Sequence, residues 1–185
     1  SLRDFHIEQP LLVFVGNRVT STTSKDELTD VEEVLRFLDQ FVRNRGKSTE
    51  RISEVLNNDT GLVDGNGNEL FYGDFYALQH IFGQTPDANT VFDDILRLVF
   101  NTDTGAEEPR LHLANIKQVS GEIGLKIGEY GDYFGVISIG DTAGLIKLCD
   151  QQGIPSKTEE FISASMFRSI NSKDSRINLL IGSRK

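Results

Sequence analysis

The stretch PLLVFVG, residues 10–16, constrains the fold most. Its apolar residues run without interruption, and Pro10 and the pair Gly16-Asn17 bound it. A strand that alternates apolar and polar residues buries one face, whereas a continuous apolar run calls for cover on both. The stretch is therefore expected to be a strand at the centre of a covered, parallel sheet. A second such run, INLLIG at 177–182, is expected to be a buried strand, and Gly182-Ser183-Arg184-Lys185 follows it directly.

Between these runs the pattern changes several times. Leu28, Val31, Val34, Leu35, Leu38, Phe41 and Val42 recur at helical spacing. Two capping boxes, Ser24-x-x-Glu27 and Thr29-x-x-Glu32, compete for the start of that helix. It is expected to end near Asn44-Arg45-Gly46, with a shorter helix from Ser48 to Leu56 after it. Asp64-Gly65-Asn66-Gly67 is a tight-turn signal. Two aromatic-rich helical stretches come next, the second with Thr85 as cap, Pro86 in its first turn, and Val91, Phe92, Ile95, Leu96 and Val99 as its buried stripe. LHLANIKQV and GEIGLKIG alternate and read as half-exposed antiparallel strands, while YFGVISIGD is more continuously apolar and more central. A short helix then follows, capped by Asp141 and ended by Gly153. Ser156-x-x-Glu159 is expected to open another helix, with Ile162, Met166 and Ile170 inward. The order of elements predicts an α/β fold with a parallel core and a mixed α+β elaboration inserted over about 44–131.

Totals narrow the function. A chain of 185 residues supports one domain with a real core, or one domain plus a small subdomain. No apolar span reaches membrane length, and no charged and apolar leader opens the chain, so a membrane partner is not expected. Cys149 is the single cysteine, which excludes an internal disulfide and a cysteine-based zinc site and fits a reducing cytoplasm. Asn58-Asp59-Thr60 matches a glycosylation sequon that chance explains. A net charge of −9 argues against strong nucleic-acid binding by the chain alone. The sequence opens on Ser1 and holds one methionine, Met166, so it is expected to be a piece of a longer protein.

Most chemical motifs fail on inspection. Gly46-Lys47-Ser48 ends like a phosphate-binding P-loop, but Phe41 stands where the loop needs its first glycine, and a helix rather than a strand leads in. Asp64 to Glu69 opens like a calcium loop, but Glu69 replaces the required glycine and Phe75 the bidentate carboxylate. His6, His80 and His112 are scattered, and Cys149 lies on an apolar helical face, so neither metal nor nucleophile is expected. Strand ends carry more promise. Asp141 follows the strand FGVISIG at its carboxyl end, where open α/β sheets bind ligands, although capping a helix suffices to explain it. Gly16 and Asn17 after the first strand, and Gly182, Ser183, Arg184 and Lys185 after the last, would suit an anion, because small residues let backbone N–H groups approach phosphate.

In order and spacing, PLLVFVGNRVT, LRLVFN, GEIGLKIG with FGVISIGD, and SMFRSINSKDSRINLLIGSRK resemble stretches of the restriction subunit of type III restriction enzymes, helicases of superfamily 2 and the DEAD/DEAH kind. The similarity runs from Pro10 to Lys185. It implies that LLVFVG is motif IV, the first strand of a second RecA-like motor domain, and that NLLIGSRK begins motif V. It further implies a partial RecA-like three-layer sheet spanning 1–185, with Gly182, Ser183, Arg184 and Lys185 facing nucleotide or nucleic acid, Gly16 and Asn17 at the motif IV strand end, and Asp141 a candidate without an assigned role. Partners implied are DNA, the first RecA-like domain of the same chain and a modification methyltransferase subunit. ATP and magnesium belong to the parent. The chain itself has no P-loop, no Asp-Glu motif and no arginine-rich motif VI, so alone it is expected to be non-catalytic and without a cofactor.

Two functions follow. The first is a fragment of an ATP-dependent DNA helicase or translocase. The second, of a different class, is a non-catalytic interaction or regulatory α/β domain whose 44–131 insertion and aromatic-rich NELFYGDFYALQHIF contact another protein.

Overall fold

The computed structural model describes residues 10–16, 30–70, 86–103, 105 and 108–183. In chain order the elements are β1 (Leu12–Gly16), α1 (Asp30–Arg43), α2 (Arg45–Leu56), α3 (Ala88–Leu98), β2 (Leu111–Ile116), β3 (Glu122–Ile127), β4 (Tyr133–Ser138), α4 (Thr142–Gln151), β5 (Ser156–Glu159), α5 (Met166–Ser169) and β6 (Leu179–Ser183). The strands form one six-stranded sheet in the order β1-β6-β4-β3-β2-β5. Pairings β1–β6, β6–β4 and β2–β5 are parallel, and β4–β3 and β3–β2 antiparallel. The chain is thus α/β with a mixed, mostly parallel sheet. Within 44–131, β2 and β3 are hydrogen-bonded into that sheet beside β4.

One face of the sheet is covered by α1, α3 and α4. Val31, Leu35, Leu38 and Val42 recur every three or four residues and bring one stripe of α1 onto Leu111, Leu113, Ile123 and Leu125. Phe41 lies 5.3 Å from Phe92, and Phe100 meets the edge of Phe134 at 4.9 Å, so aromatic rings fill the space between α1, α3 and β4. Asp39 is buried on this face, where its Oδ1 accepts from the Leu111 N–H at 3.0 Å and its Oδ2 from Arg43 at 3.3 Å. A buried carboxylate is tolerated when its oxygens have donors, and here it ties α1 to the start of β2.

The segment around α5 covers the other face, where Met166 and Ile177 pack on Ala114, Ile116 and Val136. This cover corrects one expectation. β3 is buried along its whole length, not half-exposed. Its polar side chains are sequestered because distant groups pair with them: Glu122 accepts from the Ser165 hydroxyl, from the Met166 N–H at 2.9 Å and from the Phe167 N–H at 3.3 Å. Lys126 donates to Glu159 at 3.0 Å and lies over the Tyr133 ring at 5.4 Å. Gly124, between them, leaves the room that the Tyr133 ring occupies, since a Cβ there would come within 2.5 Å of a ring carbon.

Other expectations are also corrected. Among the described strands β1 lies at the edge, not the centre, because β6 takes the inner position between β1 and β4. Leu12, Val13, Phe14 and Val15 are 46%, 54%, 37% and 67% exposed. Residues 156–159 form β5 rather than a helix, since the open edge of β2 offers them a parallel ladder. The α1–α2 break is the single residue Asn44; α2 begins at Arg45, so Gly46 lies inside it. α3 is capped by Asp87, whose side chain accepts from the Thr90 N–H, and Pro86 precedes the cap. The capping boxes at 24 and 29 begin, and the first aromatic-rich stretch lies, outside the described residues. The turn at 64–67 forms as expected: Asp64 Oδ1 accepts from Asn66 and Asn68 N–H groups, within a short hairpin bridged at Val63 and Glu69. Among the described residues no helix is long and apolar enough to cross a membrane.

One residue sets the alignment of the parallel strands. Asn178 donates its N–H to Phe134 O at 2.7 Å, and its own carbonyl accepts from Leu12 N–H at 2.8 Å. Its side-chain amide donates to Leu98 O at 2.9 Å, Val99 O at 3.1 Å and Asn101 Oδ1 at 3.1 Å. Asn101 in turn donates to Tyr133 O at 2.8 Å and Arg176 O at 2.7 Å. The C-terminus of α3 is thereby fastened to the amino ends of β1, β6 and β4, satisfying helix carbonyls that have no intrahelical partner.

Candidate functional site

Fixing the amino ends of three parallel strands also fixes their carboxyl ends. Val15 and Gly16 of β1 lie beside Gly182 and Ser183 of β6, and Ser138 of β4 lies on the other side of Gly182. Neighbouring strands are about 4.8 Å apart, so Gly16, Ser183 and the loop leaving Ser138 share about 10 Å of one sheet edge. Stretches more than 160 residues apart in sequence meet there through register alone. Small residues dominate this edge: Gly16, Ser138, Gly140, Gly182 and Ser183. Such residues leave backbone N–H groups accessible to an anionic group at the carboxyl end of a parallel sheet.

The β4 exit is the best defined part. Ile139 donates its N–H to Gly121 O at 2.9 Å, holding the strand end against the β2–β3 turn. Asp141 then accepts from the Gly144 N–H at 2.9 Å and caps α4. The helix ends at Gly153, whose φ of +76° is the left-handed geometry that favours glycine. The cap expected from sequence is the role that Asp141 fills. Its carboxylate covers the first turn of α4 with negative charge and so works against an anion at that helix end.

Of the residues expected to face a ligand, the structure brings together Gly16, Gly182 and Ser183, with Asp141 three residues beyond Ser138 at the exit of neighbouring β4. Asn17, Arg184 and Lys185 lie outside the described residues. Sequence reading passed over Ser138 and Gly140. Their signal is the same small-residue exit from an apolar strand that marked Gly16 and Gly182.

Other reactive side chains are placed elsewhere. Cys149 is fully buried on α4, and burial pushes its thiol up to about 12, far from a usable thiolate. His112 sits on β2, half-buried, with its pKa below the ordinary value because burial and then the nearby Lys126 charge oppose the imidazolium. Lys47 and Ser48 lie in the opening turns of α2, where Ser48 donates to Phe41 O at 2.8 Å instead of facing a phosphate loop. Among the described residues no group of three or more His, Cys, Asp or Glu side chains could hold a metal ion. Compared with protein-family models, with curated proteins and with solved structures, the chain matches none of them.

Proposed function

We propose that the chain is part of the second, RecA-like motor domain of an ATP-dependent DNA helicase or translocase of the type III restriction-subunit kind. The observation that carries this reading is the parallel register of Gly16 with Ser183. It sets the end of the stretch resembling motif IV beside the start of the stretch resembling motif V. In this reading the small residues at the two strand ends, Gly16 and Gly182-Ser183, let backbone N–H groups approach a phosphate chain. The neutral groups at this edge hold no nucleotide by themselves, and the Asp141 carboxylate is committed to its helix. The cations of the matching stretch are Arg184 and Lys185. In this reading ATP and magnesium are held with a P-loop domain, which the 185 residues do not contain. This domain contributes strand-end contacts to the DNA backbone and to the nucleotide cleft.

The test is fluorescence anisotropy of a labelled DNA against the 185-residue chain. Two or three phosphate contacts predict weak binding at about 20 mM salt, falling on the order of 100-fold by about 200 mM. The double variant Arg184→Glu, Lys185→Glu should abolish it. ATP turnover should stay at background. Absence of binding at low salt, or binding indifferent to the double variant, refutes the assignment.

A second reading, a non-catalytic interaction domain, is favoured by one observation: a chain of net charge −9 exposes four successive apolar residues, Leu12 to Val15. Retained DNA binding that depends on Arg184 and Lys185 would decide against it.

A further inference from the structure

Away from the strand ends, the last turns of α1 together with α2 and α3 enclose an open groove of about 700 Å³. Its floor is apolar, made by Phe41, Ile52, Val91 and Ile95 with the ring of Phe37 at one side. Its charged lining residues are cations. Arg43, Lys47 and Arg51 line it, and no Asp or Glu stands among its described lining residues. In a chain of 28 acidic and 19 basic residues, three cations line this groove.

Helix geometry explains the alignment. Lys47 and Arg51 are four residues apart on α2 and project on one side, while Arg43 reaches the same mouth from the end of α1. The cations differ in availability. Arg43 is engaged by Asp39 at 3.3 Å and Arg51 by Glu54 at 2.6 Å, whereas Lys47 has no ion-pair partner among the described residues. Lysine carries its charge on a flexible apolar stem, so its ammonium can lie over an apolar groove and still meet a polar head group. Arg45 has a different task. It pairs with Asp93 at 2.5 and 3.1 Å and stacks 5.0 Å over Phe92, which joins α2 to α3 and fixes the spacing of the groove walls.

The volume falls within the range of small-molecule pockets, about 300–1,000 Å³. An apolar floor with a cationic mouth is complementary to a molecule that is apolar over most of its length and anionic at one end. We propose that this groove binds a small anionic amphiphile, a single carboxylate or sulfonate head on an apolar body, with Lys47 meeting the head and Phe41, Ile52, Val91 and Ile95 meeting the body. The site shares no residue with the strand-end edge, so its fate is independent of the DNA reading.

Decanoate is the probe, followed by displacement of the fluorescent anionic amphiphile 8-anilinonaphthalene-1-sulfonate from the folded 185-residue chain. Decanoate should displace the dye, and decyltrimethylammonium, of the same chain length and opposite charge, should not. Lys47→Glu should weaken decanoate about fivefold, the scale of one exposed ion pair lost and reversed. Ile52→Glu, a carboxylate set into the floor, should abolish it, with an unchanged thermal melt showing that the fold persists. Amide chemical shifts should move over residues 37–56 and 91–95. Equal displacement by the cationic amphiphile, indifference to Lys47→Glu, shifts confined to other residues, or no displacement would each overturn the proposal.

Discussion

Replacing Asn178 with alanine removes one side-chain amide that closes the C-terminus of α3 against β6. That amide has two N–H groups serving Leu98 O at 2.9 Å, Val99 O at 3.1 Å and Asn101 Oδ1 at 3.1 Å. The residue is only 7% exposed, so water cannot readily take over. Two buried hydrogen bonds lost, with helix carbonyls left unpaired, cost about 2–3 kcal/mol. For a chain of this length each kcal/mol moves the melting temperature by about 2–4 °C, so the midpoint should fall by roughly 4–12 °C. The assay is urea unfolding followed by circular dichroism, with differential scanning calorimetry in parallel. Asn178→Asp is the sharper probe. It keeps the shape but turns an acceptor oxygen toward two carbonyls, so at neutral pH it should be less stable than Asn178→Ala by at least about 1 kcal/mol. An aspartate so placed has its folded pKa raised above its unfolded value near about 3.9. Its penalty is therefore present at neutral pH and disappears as pH falls through the folded pKa toward the unfolded one, where the protonated acid again donates. The gap between the two variants should narrow as pH approaches 4. Asn178→Ala within about 0.5 kcal/mol of the parent, or two variants with the same pH profile, would refute the role given to the amide.

Gly124→Ala should destabilise by about 1–3 kcal/mol, because the new Cβ would lie 2.5 Å from a Tyr133 ring carbon and 3.2 Å from the Met166 methyl. The same change made in a Tyr133→Ala background should cost far less, and an unaltered cost would show that the ring is not the obstacle. His112 is held below its ordinary pKa by burial and by Lys126. The unfolded chain therefore binds its proton first as pH falls, and stability present above the unfolded value is lost below it, between about pH 7 and 5. Urea midpoints should record that loss, and His112→Gln should flatten it; an identical profile in the variant would assign the loss to other groups.

Local chemistry was legible in the sequence wherever a feature and its partner lie within a few residues. Asp141 capping Gly144, Gly153 ending the same helix, and Asp64 closing its own turn are all interactions within a turn or helix, and each forms as read. Residues 156–159 carry an equally good capping box and form a strand, because the deciding partner is β2, more than 40 residues upstream. The alternation in GEIGLKIG was genuine, but exposure did not follow from it. Glu122 and Lys126 are buried by partners, Ser165 and Glu159, that no periodicity connects to them. PLLVFVG announced a strand, and an apolar run carries no information about strand order, so its edge position was invisible. The candidate edge was half legible for the same reason. Small residues after apolar strands marked Gly16, Gly182 and Ser183 individually, and only the pairing register makes them neighbours.

The exposed edge of β1 also has a colloidal consequence. Leu12 turns its N–H inward to Asn178 O, so in the alternating pattern of a strand Val13 and Val15 turn theirs outward, and no described strand lies beyond them. Edge strands are commonly protected by charge, and residues 10–16 carry none. The net charge of −9 on each chain opposes the approach of two such edges, a long-range repulsion whose reach shrinks from about 30 Å at 0.01 M salt to about 8 Å at 0.15 M. Ionic strength therefore acts on this chain in two opposing directions: low salt favours any phosphate contact and disperses the molecules, and high salt weakens that contact while letting bare backbone edges approach.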